Sequence, residues 1–171
     1  MNFSDAQPLR GELVITSKDK ECYIATLVKD HNLIVLNGRN NIANSLISGV
    51  CPIINTVAFG TGGTVSGSSS QVIAVQSTEL TVISAIPNLV VGTDFTFNVD
   101  SSAISAISSS VSPKIVYNIL IPEVSALNGY GINELALMMN STIPSAYSIK
   151  RFSTITKSSS ISISVAWSLY F

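Results

Sequence analysis

Ser160-Ile161-Ser162-Ile163-Ser164-Val165 alternates a small polar residue with a β-branched apolar one, and it runs on into Ala166-Trp167-Ser168-Leu169-Tyr170-Phe171. A period of two reads as a strand with one buried face and one lightly polar face. The same choice of residues pervades the chain. It holds 21 Ile, 16 Val and 12 Thr among 171 residues, together with 28 Ser. β-Branched side chains are stiff at χ1 and suit a pleated surface. The class is therefore mainly β, expected as an antiparallel β-sandwich or a barrel-like domain.

Working outward, Leu9–Thr16 and Cys22–Val28 read as two strands joined by the polar turn Ser17-Lys18-Asp19-Lys20, a hairpin. Leu33–Leu36 is a third apolar run, and Asn37-Gly38 is a turn signal. Ile42, Ala43, Leu46 and Ile47 then fall at helical spacing, with Gly49 as a stop, which predicts one short helix near residues 40–48. Further strands are expected at Ile53–Phe59, Leu80–Ile86, Asp94–Val99, Lys114–Ile121, Tyr130–Met139, Ala146–Thr154 and Ser160–Phe171. Pro87, Pro113, Pro122 and Pro144 all fall between these runs, where a missing N–H costs least. Ser66–Ser70 and Ser101–Ser112 read as loops.

The length fits one domain, or one domain with a small appendage. Hydrophobic residues make up 46% and charged residues only 11%, which excludes a disordered chain. Nine Lys and Arg against ten Asp and Glu leave no basic excess for nucleic acid. No run of ~18 charge-free apolar residues reads as a membrane helix. The first residues, Met1-Asn2-Phe3-Ser4-Asp5-Ala6-Gln7-Pro8, lack the charged and apolar regions of a signal peptide. Cys22 and Cys51 are accordingly expected as small buried thiols.

The distribution of charge says more than its total. No Lys or Arg lies between Arg39 and Lys114, and residues 40–113 hold only Glu79, Asp94 and Asp100. Monomers usually mix charges over their surface and guard sheet edges with them. Another chain is therefore expected to cover much of this region through its strands. The end of the sequence, Trp167-Ser168-Leu169-Tyr170-Phe171, lies inside an apparent strand and needs a sheet or partner to bury it. No long shaft is expected to follow.

Candidates for chemistry are few. His31 is the single histidine, and its neighbour Asp30 does not make a triad, nor is there a nucleophile elbow. One His and no clustered Cys leave no ordinary zinc site. Gly60-Thr61-Gly62-Gly63-Thr64 lacks the Gly-Lys-Ser/Thr close of a phosphate loop, and it reads as a tight turn needing positive φ. Ten acids are scattered, and Glu123 and Glu134 read as the one close pair in an ordered region. Glu134, set among apolar residues, calls for a cation, and Lys150, Arg151 and Lys157 are at hand for a structural ion pair. Catalytic, cofactor and metal residues are expected to be none.

The order of motifs in residues 38–171 is distinctive. Ile54-Asn55-Thr56-Val57-Ala58-Phe59 leads into Gly60-Thr61-Gly62-Gly63-Thr64, and Ser77-Thr78-Glu79-Leu80 follows. Next come Asn128-Gly129-Tyr130-Gly131-Ile132-Asn133-Glu134-Leu135-Ala136-Leu137 and Ile149-Lys150-Arg151-Phe152-Ser153-Thr154-Ile155-Thr156-Lys157, then the Trp167 strand. This order resembles a diffuse family of tailed-bacteriophage structural proteins, which includes small tail, baseplate and collar proteins and the attachment domains of tail fibres. Ala136 stands where a glycine is common in that pattern, and the two Ser-rich stretches look like expanded loops.

The resemblance implies a non-enzymatic component of the tail, baseplate or neck of a virion, assembled in the host cytoplasm. It implies a homo-oligomer, a trimer or a ring, that touches other phage structural proteins such as fibres, and neither nucleic acid nor membrane. It implies structural roles for Glu134 and Lys157 as a pair. Trp167 is expected in the core, and Phe171 closes the aromatic end. Residues 1–37 lie outside the pattern and are expected as a hairpin or docking arm, with residues 38–171 as the structural domain. The alternative is a receptor- or carbohydrate-binding module at a fibre tip, which would present an exposed aromatic patch. An enzyme would need a cleft around His31 or Glu134.

Overall fold

The computed structural model describes residues 10–50, 54–83, 86, 96–100, 114–139 and 145–170. Its elements are β1 (Arg10–Asp19), β2 (Ile24–Ile34), α1 (Leu36–Ser48), β3 (Ile54–Gly60), β4 (Thr96–Asp100), β5 (Lys114–Ile121), β6 (Gly131–Met139), β7 (Ser145–Thr156) and β8 (Ile161–Tyr170). The strands form one eight-stranded sheet in the order β3-β6-β7-β2-β1-β8-β5-β4. Every pairing is antiparallel. The mainly-β, barrel-like class and, among the described residues, the single helix therefore hold.

β2 is the joint of the sheet. It pairs with β1 from Ile24 to Asn32, then with β7 only at Leu33 and Ile34. The sheet curls about this junction, so the inner faces of both halves share one core. Leu13 and Ile15 of β1, Tyr117, Ile119 and Ile121 of β5, and Ile163, Val165, Trp167 and Leu169 of β8 meet Val57, Phe59, Leu135, Leu137 and Phe152 from the other half. Along β8 the alternation is as read: Ile163 and Val165 are buried, and Ser164 faces out. Each such side chain contributes about 1.5–3 kcal/mol on leaving water.

Several expectations are revised. Residues 10–37 are not an arm set apart from the rest. β1 lies between β2 and β8 and pairs with β8 along its whole length, from Arg10↔Tyr170 to Asp19↔Ile161. The hairpin turn falls later than Ser17–Lys20, because β1 runs on to Asp19 and β2 begins only at Ile24. Asp19 closes it, its carboxylate accepting from the N–H groups of Glu21 at 3.0 Å and Tyr23 at 2.9 Å. Cys22 sits in this turn at φ 66° and is exposed, not buried. Cys51 lies outside the described residues.

The helix begins at Leu36, four residues before the expected Asn40, and ends as read. Gly49 is left-handed at φ 70°, and its N–H donates to the Ser45 carbonyl at 2.9 Å. The first turn is tucked against β7: a Cβ on Gly38 would lie 2.3 Å from the Tyr147 carbonyl oxygen. Ile42 packs on the core, whereas Leu46 and Ile47 are 84% and 87% exposed.

The expected strand at Leu80–Ile86 is not one in its described part, residues 80–83 and 86. Its backbone groups bond singly. The Leu80 carbonyl accepts from Ala146 N–H, and Ile86 N–H donates to the Phe59 carbonyl. Residues 61–83 instead form a strap over the outer face of β6 and β7. Val82 and Val75 of the strap cover Ala136, Met138, Ala146 and Ile149 there. β6 is thereby buried on both faces from Ile132 to Met139.

Candidate functional site

The strap is fastened by the residues that the sequence singles out, and a bulge in β6 makes this possible. The β6–β7 register shifts between Ile132 and Glu134. An extra residue in one strand breaks the alternation, so the consecutive Asn133 and Glu134 both serve the strap while Ile132 and Leu135 both enter the core. The Asn133 side-chain oxygen accepts from Gly63 N–H at 2.7 Å. Its amide nitrogen donates to Thr64 Oγ1 at 3.0 Å and Thr154 Oγ1 at 3.3 Å.

Glu134 is fully buried. Its Oε1 accepts from Gly62 N–H at 2.8 Å, and its Oε2 from Ile83 N–H at 2.9 Å and from Arg151 Nε at 3.0 Å. The same guanidinium forks onto Glu79, with Nη1 3.1 Å from Oε1 and Nη2 in contact with Oε2, and Nη1 also donates to the Ala74 carbonyl at 2.9 Å. Gln76 N–H donates to Glu79 Oε1 at 2.9 Å. A buried carboxylate is tolerable when a cation and several N–H donors face it, and Glu134 has both. Arg151 thus ties the middle of the strap to the sheet, and Asn133 and Glu134 tie its two ends.

The glycine-rich turn is explained by approach, not by conformation. Among the described glycines, only Gly49, Gly67 and Gly129 have positive φ. A Cβ on Gly63 would lie 2.2 Å from the Asn133 carbonyl oxygen and 2.6 Å from Glu134 Cγ. Glycine there lets the strap backbone reach the two side chains that hold it.

Lys157 does not pair with Glu134. It is fully buried just past the end of β7, where its three ammonium protons meet three acceptors: the Glu123 carbonyl at 3.1 Å, Asn128 Oδ1 at 2.8 Å and the Ser158 carbonyl at 2.6 Å. Burial lowers its pKa, and the nearby Glu123 carboxylate opposes that shift. Its backbone joins the same knot, since Gly129 N–H donates to the Lys157 carbonyl and Lys157 N–H to that of Tyr130. Lys157 therefore staples the β5–β6 turn to the end of β7. Glu123 and Glu134 belong to these two separate clusters. Trp167 is fully buried, as expected, and Phe171 lies outside the described residues.

His31 is exposed, next to Asp30, which pairs with Lys150 at 2.6 Å. That hydrogen bond holds the Asp30 carboxyl below its ordinary pKa. His31 and Lys150 line a cavity of about 270 Å³ with Arg151, Ile149 and strap residues 72–75, and both cations there already face carboxylates. Among the described residues, no three His, Cys, Asp or Glu side chains gather where they could hold a metal ion. No described helix is long and apolar enough to cross a membrane.

The motif segments thus converge: Gly60–Thr64, Glu79, Asn133-Glu134 and Arg151 form one network, which the sequence presented as separate stretches. Asn133 and the partnership of Glu79 with Arg151 were not foreseen. The break of alternation in Ile132-Asn133-Glu134-Leu135 is the signal that marks the bulge. Compared with known family models, curated proteins and solved structures, the chain matches none.

Proposed function

We propose that this chain is a non-enzymatic structural component of a tailed-bacteriophage virion, placed in the tail, baseplate or neck, where it joins or anchors neighbouring proteins such as fibres. The observation that carries the reading is how the motif residues are used. Glu79, Glu134 and Arg151 are committed to one another and to the strap, and Lys157 to a turn. A pattern that encodes a clamp is what a rigid assembly part needs. Exposed Leu46, Ile47 and Val50, and the scarcity of charge over residues 40–113, add support for burial against other chains.

The test is mass spectrometry and immunogold microscopy of gradient-purified particles from the host that carries this coding sequence. The protein is expected in intact particles at a fixed copy number, with label on the tail or neck. Its absence from such particles would overturn the reading.

One observation favours the fibre-tip reading. The pairings Asp19↔Ile161 and Ile121↔Ile163 bring the β1–β2 and β5–β6 turns to one end of the sheet, and Tyr23 and Tyr130 of these turns are 71% and 41% exposed. Aromatic rings with a polar tip suit a wet binding surface. Binding of the purified protein to host envelopes that is lost in a Tyr23→Ala, Tyr130→Ala double variant would move this reading ahead.

A further inference from the structure

Lys157 and Asn128 meet as an amine and a carboxamide, and the fold holds them in contact. Lys157 is fully buried, and its Nζ lies 2.8 Å from Asn128 Oδ1. A C=O bond is only ~1.2 Å long, so Nζ stands within about 4 Å of Asn128 Cγ. One oxygen grips both groups: the Glu123 carbonyl accepts from Lys157 Nζ at 3.1 Å and from Asn128 Nδ2 at 2.8 Å. The two backbones are tied as well. Gly129 N–H donates to the Lys157 carbonyl at 2.8 Å, and Lys157 N–H donates to the Tyr130 carbonyl at 3.1 Å. A nucleophile, an electrophilic carbon and a leaving nitrogen therefore share one supported site. Such an arrangement makes a slow bimolecular reaction unimolecular.

Lysine attacks as the neutral amine, which desolvation favours. Burial lowers the pKa of Lys157, and the Glu123 carboxylate, whose charge opposes that shift, stands near enough to take the proton. It is the Glu123 carbonyl, not the carboxylate, that holds Nζ and Nδ2. The rival attack on Asn128 Cγ would come from the next backbone nitrogen, that of Gly129. Its N–H is engaged by the Lys157 carbonyl.

We propose that Lys157 and Asn128 condense into an intramolecular isopeptide bond. The Nζ–Cγ bond forms and the Cγ–Nδ2 bond breaks. Nζ sheds two protons in passing from ammonium to amide. One goes to the Glu123 carboxylate and the other to Nδ2, which leaves as ammonia. Glu123 then gives its proton to that ammonia, which departs as ammonium. Nothing is oxidised or reduced, and no co-reactant is consumed. The product bolts the β5–β6 turn to the end of β7 and closes the loop of chain between residues 128 and 157. A cross-link of this kind restricts the unfolded chain. The inference goes beyond the assembly reading and does not depend on it.

Peptide mapping by mass spectrometry of the purified, folded full chain tests it. Trypsin cuts after Lys and Arg, so an unlinked chain releases residues 115–150 and residues 152–157 separately. The wild type is expected to be lighter than its sequence by one ammonia. It should yield residues 115–150 joined to residues 152–171, because a Lys157 acylated at Nζ is no longer cut. Lys157→Arg keeps a cation but has no amine to give, and it is expected at its full mass. Glu123→Gln keeps the carbonyl and loses the proton acceptor, and it is expected to remain mostly unlinked. Circular dichroism confirms the fold of each variant, and the wild-type map decides the matter without them. A wild type at full mass, with residues 152–157 released, overturns the inference. So does a loss of ammonia that persists in Lys157→Arg, since that marks ring closure of Asn128 onto the Gly129 nitrogen. Linkage in Glu123→Gln as complete as in the wild type overturns the proton transfer assigned to Glu123.

Discussion

Replacing Glu134 by alanine tests the strap network most directly. The change removes the acceptor of Gly62 N–H, Ile83 N–H and Arg151 Nε, all held at 2.8–3.0 Å around a fully buried carboxylate. Breaking a buried pair from one side costs about 3–5 kcal/mol. Each orphaned buried N–H costs about 1–3 kcal/mol if water cannot reach it. These losses overlap, because Glu79 still holds Arg151 and the strap can loosen to admit water. We therefore expect a total of about 3–5 kcal/mol, a large part of the ~5–15 kcal/mol of a typical domain. Urea unfolding read by fluorescence suits the measurement, since Trp167 is the single tryptophan and is fully buried. Double-mutant cycles then identify the partner. Glu134→Ala with Arg151→Met should be non-additive by roughly 1–3 kcal/mol, as for residues in contact, whereas Glu134→Ala with Lys157→Met should add within about 0.5 kcal/mol. Hydrogen exchange should rise across residues 61–83 before it rises in β1 and β8. A loss below about 1 kcal/mol, or coupling of Glu134 to Lys157 and not to Arg151, would refute the reasoning.

Other changes probe single features. Gly63→Ala sets a methyl against the Asn133 carbonyl at 2.2 Å and should cost about 1–3 kcal/mol by urea unfolding. Cys22→Gly relieves a left-handed residue at φ 66° and should stabilise by roughly 0.5–1 kcal/mol in a thermal melt, and the wild-type thiol should react with a thiol reagent in the folded state. Asp30→Asn removes a half-open pair with Lys150 and should cost less than about 1 kcal/mol at low salt and almost nothing at high salt. Because the Asp30 carboxyl is held below its ordinary value, that contribution is complete above about pH 4 and fades as pH falls through the lowered pKa, so wild type and variant should converge in acid.

The map of charge has a structural reason at one place. Lys29 and Asp30 lie where β2 has parted from β7, and the β1–β2 register slips so that Leu27 is left without a partner. Charges and a bulge are the usual guards of an exposed strand edge.

Much of the fold was legible because strands announce themselves locally. Lys114–Ile121 was read with its observed limits, and the ends of β3, β6, β7 and β8 moved by only one or two residues. Period-two burial depends on neighbours two positions away, so short windows reveal it. The Gly49 stop was legible for the same kind of reason: it needs only its own left-handed backbone and the carbonyl four residues back. What misled was apolar content without period. Leu80–Ile86 looked like a strand because Leu80, Val82, Ile83 and Ile86 crowd together, yet Val82 is buried and Leu80 and Ile83 are exposed along a strap.

The sequence by itself determined the class and the approximate strands, because composition and alternation are properties of neighbouring residues. The tertiary structure alone decided which cation answers Glu134. Lys150, Arg151 and Lys157 are equivalent when read along the chain. The β6 bulge and the β6–β7 pairing set Arg151 opposite Glu134, and the path of the strap brings Glu79 to the other side of the same guanidinium. Lys157, six residues on, is turned instead to a knot of carbonyls. Partner choice between charges depends on register and on what covers them, and both are set by contacts between segments far apart in the chain.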